Sequence, residues 1–267
     1  MNQDEPFVDI HCHLVPGIDD GAKSWEQALA MARMAVADGI RTIVVTPHQL
    51  GSFAHNYGHL IRLRTSELQQ VLESQHVPLR VLPGADVRIE SGMVKLLRAG
   101  QVVTLGDHGR HVLLELPHEL YFPLEDVLEE LHRAGMVGIL SHPERNQGLL
   151  KQPRLIAPLV QRGCLMQVTC GSLLGMFGPA CQELAERMLE EGLAHFLATD
   201  AHGPSARRPL MRRAFERTCE MVGRDGALDL CCRNPAAVAA GQDVTVQPHK
   251  RQRSGFFSHL FKRRYAA

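Results

Sequence analysis

The sequence predicts an α/β fold of successive β-α units, closed or nearly closed into a parallel barrel. Three observations carry that expectation. Short β-rich runs alternate with longer helical ones, the pattern of a parallel sheet. Helical runs stop at Gly135, Gly163 and Gly192, and strand runs follow at once. His, Asp or Glu stands at or just beyond the C-terminal end of six of the seven strand runs 7–10, 41–46, 79–82, 111–115, 136–141, 164–169 and 194–199. In a parallel barrel those ends share one rim, where active sites are built, and imidazole-carboxylate clusters bind hard or borderline metal ions.

The run 7–10 leads into His11 and His13 of DIHCH. Two imidazoles two residues apart on extended backbone project to one side and can grip one ion, while Cys12 points away. Asp19 and Asp20 precede Gly21. A carboxylate there can simply favour the following helix N-terminus, but in company with His48 and His202 it becomes a candidate ligand. The helix starts at Ser24, with Gln27 three residues on as in a capping box, and Gly39 ends it. The run 41–46 leads to His48 of TPH, and 79–82 leads past the turn residues Pro83 and Gly84 to Asp86. Glu115 closes 111–115, an otherwise apolar strand, so it needs a cation or a hydrogen-bond partner.

A helix over 124–134 and the strand 136–141 precede His142 of LSHPER. A helix over 153–162 and the strand 164–169 follow, the one strand without such a residue at its end. After a helix over 179–191, the strand 194–199 delivers Asp200 and His202 of ATDAH. Helices near 205–222 and 226–240 complete one domain, 1–243. Residues 244–267 read as a separate tail, with aromatic residues between two basic clusters and no acid from Pro248 on. Such a tail can lie on an anionic membrane surface; a solvated chain end is the plainer alternative.

Composition narrows the function. The 267 residues carry zero formal net charge, so the chain is not built to coat nucleic acid, and no nucleic-acid partner is expected. The 15 His point to metal or proton chemistry. Seven Cys, an odd number scattered through strands and helices, suit reduced thiols in the cytoplasm. Neither a leader nor a membrane-spanning run is evident. No GxGxxG or Walker-type loop occurs. Cys181 and Arg187 match the C-x5-R spacing of thiolate phosphatases, but the segment is an acidic, glycine-free helix, and its Glu residues would repel thiolate and phosphate alike.

HCHLVPGIDDG, TPH, GAD, LLELP, SHPER and TDAH, in that order, resemble the polymerase and histidinol phosphatase (PHP) superfamily across about residues 6–242. Within it the chain resembles the capsule- and exopolysaccharide-associated bacterial protein tyrosine phosphatases of CpsB/CapC type. The resemblance implies a distorted (β/α)7 barrel holding up to three divalent ions, with Mn2+ expected and Fe or Zn also suited to the donor set. His11, His13 and Asp200 would take the first ion, Glu115 and His142 the second, and Asp20, His48 and His202 the third. Asp86, where the family usually has Glu, would bridge the first two. Arg145 and Arg207 correspond to phosphate-contacting arginines, although either alone reads as a surface residue. Three divalent ions against four carboxylates leave a surplus of about two positive charges, a field suited to a phosphoester dianion. Activated water would attack phosphorus in line, with no covalent phosphocysteine.

The activity implied is hydrolysis of phosphotyrosine on proteins, with a membrane-associated tyrosine kinase of capsule synthesis as partner and the cytoplasm as location. The alternatives are a small-molecule phosphatase acting on histidinol phosphate or a sugar phosphate, and a PHP module that binds nucleic acid, which the neutral charge disfavours.

Overall fold

The computed structural model describes residues 5–244. Nine parallel strands are laid out as β1 (Phe7–Cys12), β2 (Ile40–Val45), β3 (His48–Gln49), β4 (Arg80–Pro83), β5 (Asp86–Arg88), β6 (His111–Glu115), β7 (Val137–Ser141), β8 (Leu165–Thr169) and β9 (Phe196–Ala198). The helices are α1 (Trp25–Asp38), α2 (Gly58–Ser74), α3 (Met93–Arg98), α4 (Glu125–Arg133), α5 (Gln147–Lys151), α6 (Ile156–Gln161), α7 (Cys170–Leu173), α8 (Pro179–Glu190), α9 (Arg212–Leu228) and α10 (Asn234–Ala239).

All seven expected strand runs are present, and the two extra strands have a simple origin. The run 41–46 continues past Thr46 and Pro47 as β3, and 79–82 continues past Gly84 and Ala85 as β5. At these breaks one curved wall becomes two sheets, β1-β2-β4 and β3-β5-β6-β7-β8-β9. Gly84 is required there, because a Cβ would stand 2.7 Å from Val44 Cγ1. A parallel bridge between Cys12 and Ala201 joins the two outer edges, β1 and the end of β9. The wall therefore runs in chain order through seven strand positions, the arrangement expected of a distorted barrel.

Alternation along the strands sorts the core into two clusters. Val8, Ile10, Val44, Leu113, Ile139, Leu165, Phe196 and Ala198 pack together inside, with Leu105, Val238 and Ala239 closing the end away from the site. Their neighbours Ile43, Val45, Val112, Leu114, Leu140, Val168 and Leu197 pack outward against the helices. Fully burying one such side chain contributes roughly 1.5–3 kcal/mol.

Helix ends follow the expected signals. Ser24 Oγ accepts from Gln27 N–H, and Gly39 ends α1 in the left-handed region at φ 110°. The last helical stretch differs from expectation at its start. A helix from 205 was expected, but α9 begins at Arg212, because 201–211 form the loop that carries His202 and Arg207 into the site. Gly223, at φ 82°, interrupts α9 near the expected break. The helix α2 was not anticipated.

All seven cysteines are free thiols. Among the described residues no helix is long and apolar enough to cross a membrane. The expected tail, 244–267, lies outside the described residues apart from Val244.

Candidate metal centre

A bulge in β1 aims the first two histidines. Asp9 pairs with Ile43 and Cys12 with Val45, so three steps on β1 match two on β2. Such an extra residue re-aims the side chains beyond it. Ile10 lies in the inner cluster and Cys12 in the outer one, while His11 and His13 meet at the barrel mouth. Asp200 N–H donates to His11 O at 2.7 Å and His13 N–H to Ala201 O at 2.9 Å, which fixes β1 against the end of β9. The buried Asp9 carboxylate completes this seam, accepting from Thr199 N–H at 3.1 Å and Thr199 Oγ–H at 2.5 Å.

The nine ligand candidates converge, forming four overlapping groups whose donor atoms lie within 4.8 Å of one another. The groups are His13-Asp20-His48-His202, His11-His142-Asp200, His11-His13-Asp86 and His48-Asp86-Glu115. The trio Asp20, His48 and His202 stands together as the resemblance implies, with His13 added. His142 stands with His11 and Asp200 rather than with Glu115, whose nearest companions are His48 and Asp86. Sequence order cannot separate these partitions, because His48 lies between the groups and reaches Asp20 and Asp86, both at 3.5 Å, and Glu115 at 3.7 Å.

The donor set is unbalanced in a way that a cation resolves. His11 Nδ1 lies 2.7 Å from Gln167 Oε1, and His13 Nδ1 lies 2.7 Å from Asp19 Oδ2. Both oxygens accept, so each Nδ1–H donates, and each Nε2 is the atom left to meet a metal once it carries no proton. Those two Nε2 atoms face each other at 3.3 Å, and His11 Nε2 stands 3.3 Å from Asp200 and 3.5 Å from Asp86. Both oxygens of Asp86, and Nδ1 of His48, are buried without a hydrogen-bond partner. Burying such groups unpartnered is costly, and a positive ion removes the cost.

Ionisation reflects the same crowding. Burial opposes protonation of His13, but Asp19 and Asp200 outweigh it and hold the imidazole at about 10. Burial also opposes ionisation of Asp86 and Asp200, yet His11 and its neighbours keep both below the usual carboxylate range. Glu115 has less help: burial and the charge of Asp86 raise it to about 8. Burial and Arg145 push His142 down to about 3.

Arg145 and Arg207 both donate to Oδ2 of Asp200, and the Arg145 guanidinium lies over the Phe177 ring at 4.2 Å. Both line a cavity of about 220 Å3 with Asp20, Glu115, His142 and His202. His142, Asp200 and Arg207 all have left-handed backbone, at φ 33°, 50° and 47°. Non-glycine residues hold that conformation at a cost, which recurs where side chains must be aimed.

Several supporting roles were missed in the sequence. Asp19 differs from Asp20 completely: its Oδ2 takes His13 Nδ1–H and, at 3.1 Å, His48 N–H, while its Oδ1 takes Gly21 N–H at 2.9 Å. Asp20 instead faces His202 at 3.3 Å, with its side chain 54% exposed. Gly21 permits this loop, since a Cβ there would lie 2.2 Å from His13 O. Gln167, a lone amide in the strand LMQVT, was a visible signal that went unused. Arg88, two residues beyond Asp86, reaches 3.8 Å from Glu115. Cys181 lies buried in α8, where burial and Glu144 push its thiol up, so it is a poor nucleophile.

Residues 7–240 match the model of the family described as capsular polysaccharide synthesis, CpsB/CapC. This chain belongs to the CpsB/CapC family. The tyrosine-protein phosphatase YwqE of Bacillus subtilis is 37% identical over 203 residues, covering 75% of this chain and 79% of that relative. The tyrosine-protein phosphatase CpsB of Streptococcus agalactiae serotype V is 26% identical over 244 residues, covering 87% and 98%. A solved structure from work on YwqE of Bacillus subtilis and CpsB of Streptococcus pneumoniae, described as unique metal-dependent tyrosine phosphatases, superimposes with a TM-score of 0.86. It is 33% identical and covers 91% of this chain and 98% of its own. This CpsB/CapC member thus shares its relatives' architecture over nearly their full length.

Proposed function

We propose that this chain is a metal-dependent phosphatase that hydrolyses phosphotyrosine on proteins and serves capsular or exopolysaccharide synthesis. The observation that carries the reading is the unbalanced donor set, in which Asp86 is wholly buried with both oxygens unpartnered among His11, His48 and Glu115. Its residues fit divalent ions. His11, His13, Asp20, His48, Asp86, Glu115, His142, Asp200 and His202 would hold them, and the mixed nitrogen and oxygen set suits Mn2+, with Fe or Zn as substitutes. Bound divalent ions supply positive charge to phosphate oxygens and acidify water.

The protein's own groups do the rest. Gln167 and Asp19 fix the tautomers of His11 and His13, so that their Nε2 atoms face the centre. Arg145 and Arg207 share one oxygen of Asp200 and exchange it for the more numerous oxygens of a phosphate dianion. Phe177 holds Arg145 in place. Asp19 adds a fifth carboxylate to the charge balance, leaving a surplus of about one positive charge from three divalent ions before the arginines are added.

The full-length relatives are named tyrosine phosphatases, which supports a protein substrate over a small phosphoester. A membrane-associated tyrosine kinase of the same synthesis system is the partner this reading implies, met in the cytoplasm. The test is hydrolysis of a phosphotyrosine peptide after chelation and after return of Mn2+, Fe2+ or Zn2+, beside histidinol phosphate. Full activity in excess chelator would sink the metal reading, and preference for histidinol phosphate would sink the substrate.

A further inference from the structure

Beside the metal centre lies a second, larger cavity of about 310 Å3. Leu174, Met176, Phe177 and Leu210 give it apolar walls, and Arg207, Arg208 and Arg213 give it charge. The charge is only partly neutralised locally: Arg207 pairs with Asp200, and Asp38 against Arg208 and Arg213 leaves a surplus of positive charge. Asp38 also lines the cavity, but its Oδ2 accepts Met211 N–H at 2.5 Å and Arg212 N–H at 2.8 Å, holding the start of α9. Arg208 and Arg213 are exposed and have no ion pair among the described residues. Arg207 Nε is buried without a partner, although its Nη2 binds Asp200. Cations gathered at one cavity repel one another, and a carboxylate placed among them relieves that repulsion.

The two cavities share a wall. Arg207 lines both. Phe177 lines the second cavity and carries Arg145 of the first on its ring at 4.2 Å. A phosphate held by Arg145 and Arg207 is therefore one side chain away from the second cavity. In an extended peptide, residues advance by about 3.3 Å each, so positions flanking the phosphotyrosine come within reach.

We infer that this cavity is a substrate subsite that takes an acidic side chain flanking the phosphotyrosine, together with an apolar neighbour on its walls. This rests on the phosphotyrosine-protein reading and deepens it by defining which proteins are good substrates. Arg208 and Arg213 bind the flanking carboxylate, and Leu174, Met176 and Leu210 receive the apolar side chain. Neither Arg208 nor Arg213 belongs to the machinery that handles the phosphate.

The test uses the full chain loaded with Mn2+ and three phosphotyrosine peptides of equal length. In these, Glu-Leu, Gln-Leu or Lys-Leu pairs flank the phosphotyrosine on both sides. The compound 4-nitrophenyl phosphate, which has no flanks, is the reference. The Glu peptide should exceed the Lys peptide in kcat/KM by about tenfold, chiefly through KM. The R208Q/R213Q variant should flatten that ratio and R208E/R213E should invert it, both keeping the wild-type rate on 4-nitrophenyl phosphate. A wild-type ratio near one overturns the inference. An acidic preference that survives in both variants also overturns it, because the metal centre alone would then be its source. If the wild type cleaves 4-nitrophenyl phosphate but no phosphotyrosine peptide, the substrate reading fails and the subsite falls with it.

Discussion

Asp19→Asn changes one oxygen to an amide nitrogen and should weaken metal binding without unfolding the protein. The carboxylate uses both oxygens, Oδ2 for His13 Nδ1–H at 2.7 Å and His48 N–H at 3.1 Å, and Oδ1 for Gly21 N–H at 2.9 Å. An asparagine can accept on one side only. With its oxygen turned to Gly21, its NH2 meets two donors; a neutral His13 must then carry its one proton on Nε2, the atom that faces the centre. With its oxygen turned the other way, Gly21 N–H is stranded and the charge is still lost. A hydrogen bond to a charged group contributes roughly 1.5–3 kcal/mol. Losing a residue that orients a ligand weakens metal affinity about 10–100-fold, or roughly 1.4–2.7 kcal/mol, in agreement. The assay is titration of metal-free protein with Mn2+, followed by calorimetry and by hydrolysis of a phosphotyrosine peptide. The midpoint should move up by about 10–100-fold while the plateau activity at saturating metal stays near wild type. Superimposable titrations would refute the claim that Asp19 holds His13 for the metal.

Metal uptake should release protons, because metal-free His13 stays protonated near neutrality with its value at about 10; calorimetry in buffers of different ionisation heat, at about pH 8, should detect the release, and a buffer-independent heat would count against it. Arg145→Ala and Arg207→Ala should each lower kcat/KM by about 1–3 kcal/mol of transition-state binding while metal content per chain is unchanged; equal kinetics in both variants would remove them from the phosphate site. Cys181→Ser should keep activity, since burial holds that thiol up; loss of activity with the fold intact would reopen the thiolate route. His111 titrates at about 4 against an ordinary 6.5, because it is buried and stands near Arg110 and His108. Its folded value is depressed, so the unfolded chain takes up its proton first, and stability present above about pH 6.5 is lost as the pH falls towards 4. His111→Gln should flatten that loss by up to about 3 kcal/mol, measured as the wild-type minus variant difference in urea unfolding between the two pH values.

The sequence by itself determined the repeating strand-helix order, the strand positions and the rim on which the chemistry sits. These are local properties: hydrophobic period, capping at Ser24 and glycine stops are written within a few residues of where they act. It also offered nine candidate ligands, all but Asp20 at or just beyond the ends of parallel strands, which share a rim whatever the loops do. The tertiary structure alone decided which donor meets which. The β1 bulge, the seam from Asp9 to Thr199 and the left-handed turns at His142, Asp200 and Arg207 set distances of a few ångströms between residues up to 190 positions apart. The same contacts decided that Asp19 orients histidines while Asp20 faces the cavity, although the two are adjacent and chemically identical. No local pattern distinguishes them, because the difference lies in what the remainder of the chain brings alongside.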